Sequence, residues 1–213
     1  GRFDTDDVEL HEQGVNRVGN LFINNEAYMN FEDLMLPILN TLYEKKKRWA
    51  VSELLREIGL TLDDENSILY QAAKNNVPIF CPAITDGAFG FHLYLFQQKH
   101  KDFIVDTIWD MGRAITDLSF DDKKGLISLG GSISKHYAIF AALMSGGFDY
   151  AVYLTTSHAS SGSVSGATTQ EAKSWGKLKD DAEAATVNGD VCITFPLIMS
   201  SVLDNLKKEG ILK

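Results

Sequence analysis

The chain has 213 residues, 45% of them hydrophobic, enough to bury a core and in the size range of one domain. Its formal net charge is −9 at pH 7 and its only basic run is Lys45-Lys46-Lys47-Arg48, read as a solvated helix end. No basic stripe exists to neutralise phosphates, so nucleic acid is not expected as a partner, and no run of about 18 apolar residues exists to span a membrane. The acidic balance suits a polycationic substrate or a basic protein partner, as it suits many other cytosolic proteins.

Short apolar runs alternate with helical patterns along the chain. This predicts an α/β fold, a Rossmann-like and mostly parallel sheet flanked by helices, in a single domain over residues 1–213. Helices are expected over Phe31–Arg48, Val51–Ile58, Ser67–Asn75, Ile108–Asp117, Lys135–Met144, Thr169–Trp175 and Leu197–Lys208. The first places Phe31, Leu34, Ile38 and Leu42 close to a 3.6-residue period, which predicts one packed face. Ser67 stands at an N-cap position, and Asn75-Asn76 followed by Pro78 marks the end of that helix. Strands are expected over Val77–Ile84, Phe103–Thr107, Gly125–Leu129, Tyr150–Thr155 and Val191–Phe195. Cys81 and Cys192 both fall in strand-like runs without ligand spacing, so free buried thiols are expected, with neither a disulfide nor a metal site. The chain opens Gly1-Arg2-Phe3-Asp4 without a signal-peptide pattern, and a cytoplasmic location is expected.

The most informative segment is Glu171-Ala172-Lys173-Ser174-Trp175-Gly176-Lys177, close behind the Gly/Ser-rich stretch Ser160 to Gly166. It sets a primary amine beside a flat apolar wall. A free lysine titrates near about 10.4, so a neutral amine at pH 7 costs roughly 4–5 kcal/mol unless its surroundings lower that value. Desolvation against an aromatic ring does so, and buried lysines form Schiff bases. The plain alternative is a surface lysine at a helix end. Glu171, six residues earlier, is either a carboxylate for a substrate ammonium or an ordinary first-turn helix acid.

Gly130-Gly131-Ser132 lies between a predicted strand and a predicted helix, where backbone amides approach a pyrophosphate; it is equally a plain βα turn. His136 follows within that helix, either as a proton-handling group or as a structural residue. The other histidines, His11, His92, His100 and His158, carry no such context. Asp86, before Gly87, and Asp190, after Asn188-Gly189, are placed either to bond ribose hydroxyls or to cap a turn.

Ser161-Gly162-Ser163-Val164-Ser165-Gly166-Ala167 together with Ser174-Trp175-Gly176-Lys177 resembles the active-site region of the deoxyhypusine synthase family. The segments Gly14 to Asn20, Val77 to Gly87 and Gly130 to His136 resemble further family signatures in family order, so the resemblance covers nearly the whole chain. It implies NAD-dependent transfer of the 4-aminobutyl group of spermidine, through an imine on Lys177, to a lysine of a translation factor precursor. It implies catalytic roles for Lys177 and His136, and substrate contacts from Glu171, Trp175, Gly162, Ser163 and His136. It places NAD against Asp86, Gly131, Thr156, Ser157, Asp190 and Val191, with no metal. Trp175 would wall the site against water.

Two positions depart from the family pattern: Phe91 and Val164 stand where well-known members carry aspartates that hold substrate amines. This favours a second reading, homospermidine synthase-like transfer to a free diamine. A third is a non-catalytic regulatory subunit. A deacylase of the wider superfamily is disfavoured by the lack of zinc-ligand cysteines. Family members are longer and carry an additional N-terminal half with part of the dinucleotide site. They build active sites across subunit interfaces, usually in a tetramer. The resemblance therefore implies a hetero- or homo-oligomer containing an N-terminal fragment or subunit of the same enzyme.

Overall fold

The computed structural model describes residues 2–117 and 121–212. The fold is mixed α/β, with parallel strands flanked by helices, and its contacts divide into two compact units, residues 1–107 and 108–213.

In the first unit, Asp6 caps α1 (Asp7–Glu12) by accepting the amides of Val8 and Glu9. An antiparallel hairpin follows, β1 (Val15–Val18) and β2 (Leu21–Asn24), turning at Gly19 with φ +62°. The long α2 (Asn25–Lys45) leads to β3 (Arg48–Ala50), α3 (Val51–Thr61), α4 (Ile68–Lys74), α5 (Ala88–Lys99) and β4 (Ile104–Asp106). Strands β3 and β4 pair in parallel, with Trp49 opposite Val105. Their core gathers Leu39, Leu54, Trp49, Val51, Phe96 and Phe103, each at most 2% exposed. Fully burying one such side chain contributes roughly 1.5–3 kcal/mol, so this cluster, rather than the two short strands, holds the unit together. The packed face of α2 runs through Met35, Leu39 and Leu42; Leu34, expected inside, is exposed.

The basic run is more tied down than a solvated helix end. Lys45 pairs with Glu57, Lys46 with Glu53 and Arg48 with Asp106, while the Lys47 amine lies over the Tyr43 ring. Ser67 caps α4 as expected, accepting the Tyr70 amide.

Helix α6 (Thr107–Thr116) begins at the boundary between the units. The second unit then runs β5 (Gly125–Leu129), α7 (Ser132–Leu143), β6 (Phe148–Thr155), α8 (Thr169–Ser174), β7 (Leu178–Asn188) and α9 (Val191–Lys208). Its three strands are parallel in the order β5-β6-β7. Ile139, Tyr153, Ala172 and Leu178 form the centre of its core.

Two expected strands are not strands. Val77–Ile84 is irregular and ends in a turn; Gly90 of α5 packs so closely on its end that a Cβ there would lie 2.4 Å from the Ile84 carbonyl oxygen. Val191–Phe195 opens α9 instead, because Asp190 accepts the Cys192 amide at 2.7 Å and starts a helix. Cys81 is half-buried against the first core and Cys192 exposed; neither forms a disulfide, and neither is fully buried as expected.

Candidate active site

The parallel sheet delivers three connections to one edge. Leu129 pairs with Leu154 and Thr155 with Asn188, so β5, β6 and β7 end together. The Gly130 amide donates to the Leu154 carbonyl at 2.8 Å and the Gly189 amide to that of Thr155 at 3.0 Å, carrying the ladder into the turns. Gly131, Thr156, Ser157, Asp190 and Val191, expected as cofactor residues, are thereby gathered at the carboxyl end of one sheet. Ligands of open α/β sheets bind at such an edge.

Local packing explains some of these residue types without a ligand. A Cβ on Gly131 would lie 2.6 Å from Ser165 Cα, so this glycine is needed for the loop to close over the start of α7. The Ser132 amide donates to Ser165 Oγ at 2.8 Å, and the Ser157 amide to Thr155 Oγ1 at 3.0 Å. Asp190 spends Oδ1 on capping α9; Oδ2 makes no hydrogen bond among the described residues. Asp86 belongs to the other unit, exposed in the bend before Gly87, with its carboxylate unpartnered among the described residues.

Lys177 is positioned by the way α8 stops. Gly176 adopts φ +68°, a left-handed conformation that glycine enters without penalty. Its amide donates to the Lys173 carbonyl at 2.9 Å and that of Lys177 to Ala172 at 3.1 Å, the paired bonds of a glycine helix stop. Trp175 is thus the C-cap of the helix, and Lys177 leads from its end into β7. The Lys177 amine lies 4.8 Å from the Trp175 ring centroid, and the residue is 8% exposed. The side-chain amine makes no hydrogen bond or ion pair among the described residues, and burial holds its pKa below the ordinary lysine value.

Glu171 forms a capping box with Thr168: its Oε1 accepts the Thr168 amide at 3.1 Å and hydroxyl at 3.0 Å. The helix-acid reading is realised by that oxygen, leaving Oε2 open. His136 is exposed on α7 and stacks on Phe140 at 6.0 Å between centroids. Gly162 turns at φ +67° after a short helical turn, and the Ser163 carbonyl accepts the amides of Gly166 and Ala167. Both Gly162 and Ser163 are exposed. Of the two departures, Val164 packs partly buried against the second core and Phe91 stands 57% exposed on α5.

One residue of this region was not expected from the sequence. Lys135, 3% exposed, donates to the Val164 carbonyl at 3.1 Å and that of Ala167 at 2.8 Å, with its amine 4.0 Å from the Tyr153 ring centroid. It straps the Gly/Ser-rich loop to α7. Burial lowers its pKa, opposed by the charge of Glu171. A lysine beside a histidine on a helix gives no sequence signal of burial.

The two ends of the sheet carry different chemistry. Lys177 precedes β7, where its carbonyl accepts the Phe148 amide at the amino end of β6. The eight residues of β6 separate that end from Thr155, roughly 23 Å at about 3.3 Å per residue. An amine suited to imine formation and an edge suited to a nucleotide thus lie at opposite ends of one three-stranded sheet. Among the described residues no cluster of three or more His, Cys, Asp or Glu side chains suits a metal ion, and no helix is long and apolar enough to cross a membrane.

A family model for deoxyhypusine synthase matches residues 1–202. The probable deoxyhypusine synthase of Thermoplasma acidophilum is 43% identical over 205 residues, covering 95% of this chain and 66% of that protein. The deoxyhypusine synthase of Candida glabrata is 38% identical over 230 residues, covering 97% of this chain and 60% of its own. A crystal structure assigned to deoxyhypusine synthase from Entamoeba histolytica superposes with a TM-score of 0.63 at 27% identity, over 84% of this chain and 56% of that one. The chain therefore spans about two thirds or less of the length of these relatives. With the family model matched over nearly its whole length, the chain belongs to the deoxyhypusine synthase family.

Proposed function

We propose that this chain carries the lysine-bearing part of an NAD-dependent aminobutyltransferase that moves the 4-aminobutyl group of spermidine to a lysine of a translation factor precursor. The observation that carries the reading is Lys177: a buried primary amine without hydrogen bonds, beside Trp175, with its pKa lowered by burial. Such an amine reaches its neutral, nucleophilic form at less cost than a solvated lysine.

The carboxyl edge of the sheet fits a dinucleotide. Asp190 Oδ2 is an open acceptor for a ribose hydroxyl, Thr156 and Ser157 offer hydroxyls, and the amino end of α7 after Gly131 favours a phosphate. Asp86, expected against NAD, carries a carboxylate on the first unit that is unpaired among the described residues. When bound, NAD supplies hydride acceptance from the substrate amine and hydride return to the product.

The chain's own residues handle the group between those events. The neutral Lys177 amine attacks the oxidised C=N carbon of the four-carbon arm, and 1,3-diaminopropane leaves as that C–N bond breaks. Lys177 then holds the aminobutyl group as an imine until the acceptor lysine displaces it. His136, exposed near the start of α7, takes and returns protons at the amine nitrogens. Glu171 Oε2 and the Gly162-Ser163 turn hold the distal ammonium, and Trp175 excludes the water that would hydrolyse the imine. The separation of Lys177 from the nucleotide edge favours a site completed by another chain, either a second copy in a tetramer-like oligomer or an N-terminal portion of the same enzyme. Phe91 and Val164, apolar where family members hold amines with aspartates, favour as second reading a free diamine as acceptor.

Intact-protein mass spectrometry after incubation with NAD and spermidine, with and without borohydride, tests the proposal. One aminobutyl mass on the peptide containing Lys177, absent in Lys177→Arg, is the expected result, because arginine stays protonated. A label on another residue, or normal turnover by Lys177→Arg, overturns it.

A further inference from the structure

Helix α7 ends in a turn that packs on the backbone of Lys177 and that no part of the proposed chemistry uses. Its residues Ser145, Gly146 and Gly147 lead into β6, and both glycines are left-handed, with φ +85° and +83°. The Gly147 amide donates to the Ala142 carbonyl at 2.8 Å and the Gly146 amide to that of Leu143 at 3.3 Å, which closes the helix. Lys124, 6% exposed, ties the turn down by donating from its amine to the Ser145 carbonyl at 3.0 Å.

Left-handed backbone alone does not require glycine at position 147, because asparagine also enters that conformation at helix stops. What it leaves unexplained is the bare α-carbon. A Cβ on Gly147 would lie 3.0 Å from the Gly176 carbonyl oxygen and 3.2 Å from the carbonyl carbon and oxygen of Lys177. These are backbone atoms, so no side-chain rotation relieves the contact. The Gly176-Lys177 segment has to move, although it is fixed on both sides. The Lys177 amide donates to the Ala172 carbonyl at 3.1 Å, and the Lys177 carbonyl accepts the Phe148 amide at 3.1 Å. The contact is reciprocal, since a Cβ on Gly176 would lie 3.3 Å from Leu143 Cδ1 of α7. The stops of α7 and α8 thus pack on each other through their glycines.

We propose that Gly147 is a positioning residue for Lys177. Its lack of a side chain lets the end of α7 seat the Gly176-Lys177 backbone, which sets the Lys177 amine beside the Trp175 ring. Gly147 acts through that lysine and touches no substrate. A methyl group at 147 displaces the segment, loosens the enclosure of a residue that is 8% exposed, and lets water reach its amine. The ammonium is then better solvated, so the amine titrates closer to an ordinary lysine. This role rests on the reading of Lys177 as the reactive amine.

Acylation by an amine-reactive reagent, read for each lysine by peptide mass spectrometry across pH, tests the placement in the full chain. Gly147→Ala and Gly147→Asn should both move the Lys177 profile to higher pH, towards that of the exposed Lys208, and slow its acylation severalfold at neutral pH. Gly210→Ala is the strain control. Gly210 has φ +72° with open space where a Cβ would stand, so Lys177 should titrate in that variant as in the wild type. Asparagine is the deciding variant, because a helix stop alone accepts it, and it carries the test even where Gly147→Ala fails to fold. An unchanged Lys177 profile in Gly147→Asn, or an equal shift in Gly210→Ala, overturns the proposal. The profile needs neither NAD nor spermidine, so failed imine trapping at Lys177 would sink the aminobutyl reading and leave the seating of this lysine standing.

Discussion

Lys177 and Asp190 stand at opposite ends of strand β7, one just before Leu178 and the other just after Asn188-Gly189. Their separation is set by backbone register and not by side-chain rotamers, since Phe148 pairs with Leu178 and Thr155 with Asn188. If the working site joins the amine of one copy to the nucleotide edge of another, two inactive variants should complement. Mixing Lys177→Arg with Asp190→Ala after dissociation and reassembly should restore about one quarter of wild-type turnover, the statistical yield for randomly formed two-fold pairs with one intact site in each mixed pair. A site contained within each chain, or shared only with an N-terminal portion, gives no recovery on mixing.

The titration of Lys177 has a defined sign. Burial disfavours the ammonium, so the folded pKa lies below the unfolded one. Between those two values the unfolded chain binds more protons here than the folded chain, so stability rises with pH across that window. The penalty is full below the folded pKa and is relieved towards the unfolded value. Lys177→Met should therefore stabilise the protein most at neutral pH, with the gain shrinking as pH approaches 10. Acylation of Lys177 by an amine-reactive reagent, followed by peptide mass spectrometry, should reach half-maximal rate at lower pH than the exposed Lys208. Coincident profiles for the two lysines would remove the basis for calling Lys177 activated.

Lys135 is expected to matter for the fold more than its surface-like sequence context suggests. Lys135→Met should leave the Val164 and Ala167 carbonyls short of a charged donor and lower unfolding free energy by about 1–3 kcal/mol in urea. Tyr153→Phe is the contrast. The Tyr153 hydroxyl is buried without a partner, and burial pushes its pKa up to about 12. Deleting an unpaired hydroxyl removes no hydrogen bond, so this variant should be neutral or slightly stabilising. Equal losses in the two would mean that the Tyr153 hydroxyl contributes to the fold and is not the unpaired group described here.

The parts of the fold legible in the sequence are those whose local signals agree with their surroundings. Gly125–Leu129 is a short apolar run closed by Gly130-Gly131, and it is a strand over those same residues. Ser67 is a cap by both pattern and geometry. Val191–Phe195 misleads because a five-residue apolar run reads alike in a strand and a helix, and only the Asp190 cap separates them. Strand β7 escaped notice because Lys179, Asp180, Asp181 and Glu183 give it a polar, non-alternating face, mostly exposed. Helix α5 escaped because its Phe, Tyr and Leu residues crowd every side and mask any helical stripe. At the lysine end the sequence was more transparent: the Trp-Gly-Lys order encodes the helix stop itself, since only a left-handed residue at Gly176 turns Lys177 back toward the core.

The two apolar departures from the family pattern should separate when each is changed to aspartate. Val164 packs partly buried against Ile139 and its neighbours, so Val164→Asp places a carboxylate at the edge of the second core. Its cost, about 1–3 kcal/mol for a poorly solvated polar group, is softened by the Lys135 amine, which already bonds the Val164 carbonyl at 3.1 Å. Combining Val164→Asp with Lys135→Met should therefore cost more than the sum of the single changes, a coupling that a double-mutant cycle in urea reads directly. Phe91 is 57% exposed, and Phe91→Asp should change stability by no more than about 0.5 kcal/mol. Its effect should fall on spermidine affinity instead. An additive cycle at Val164 and Lys135, or a large stability loss from Phe91→Asp, would mean that these two positions are divided wrongly between packing and recognition.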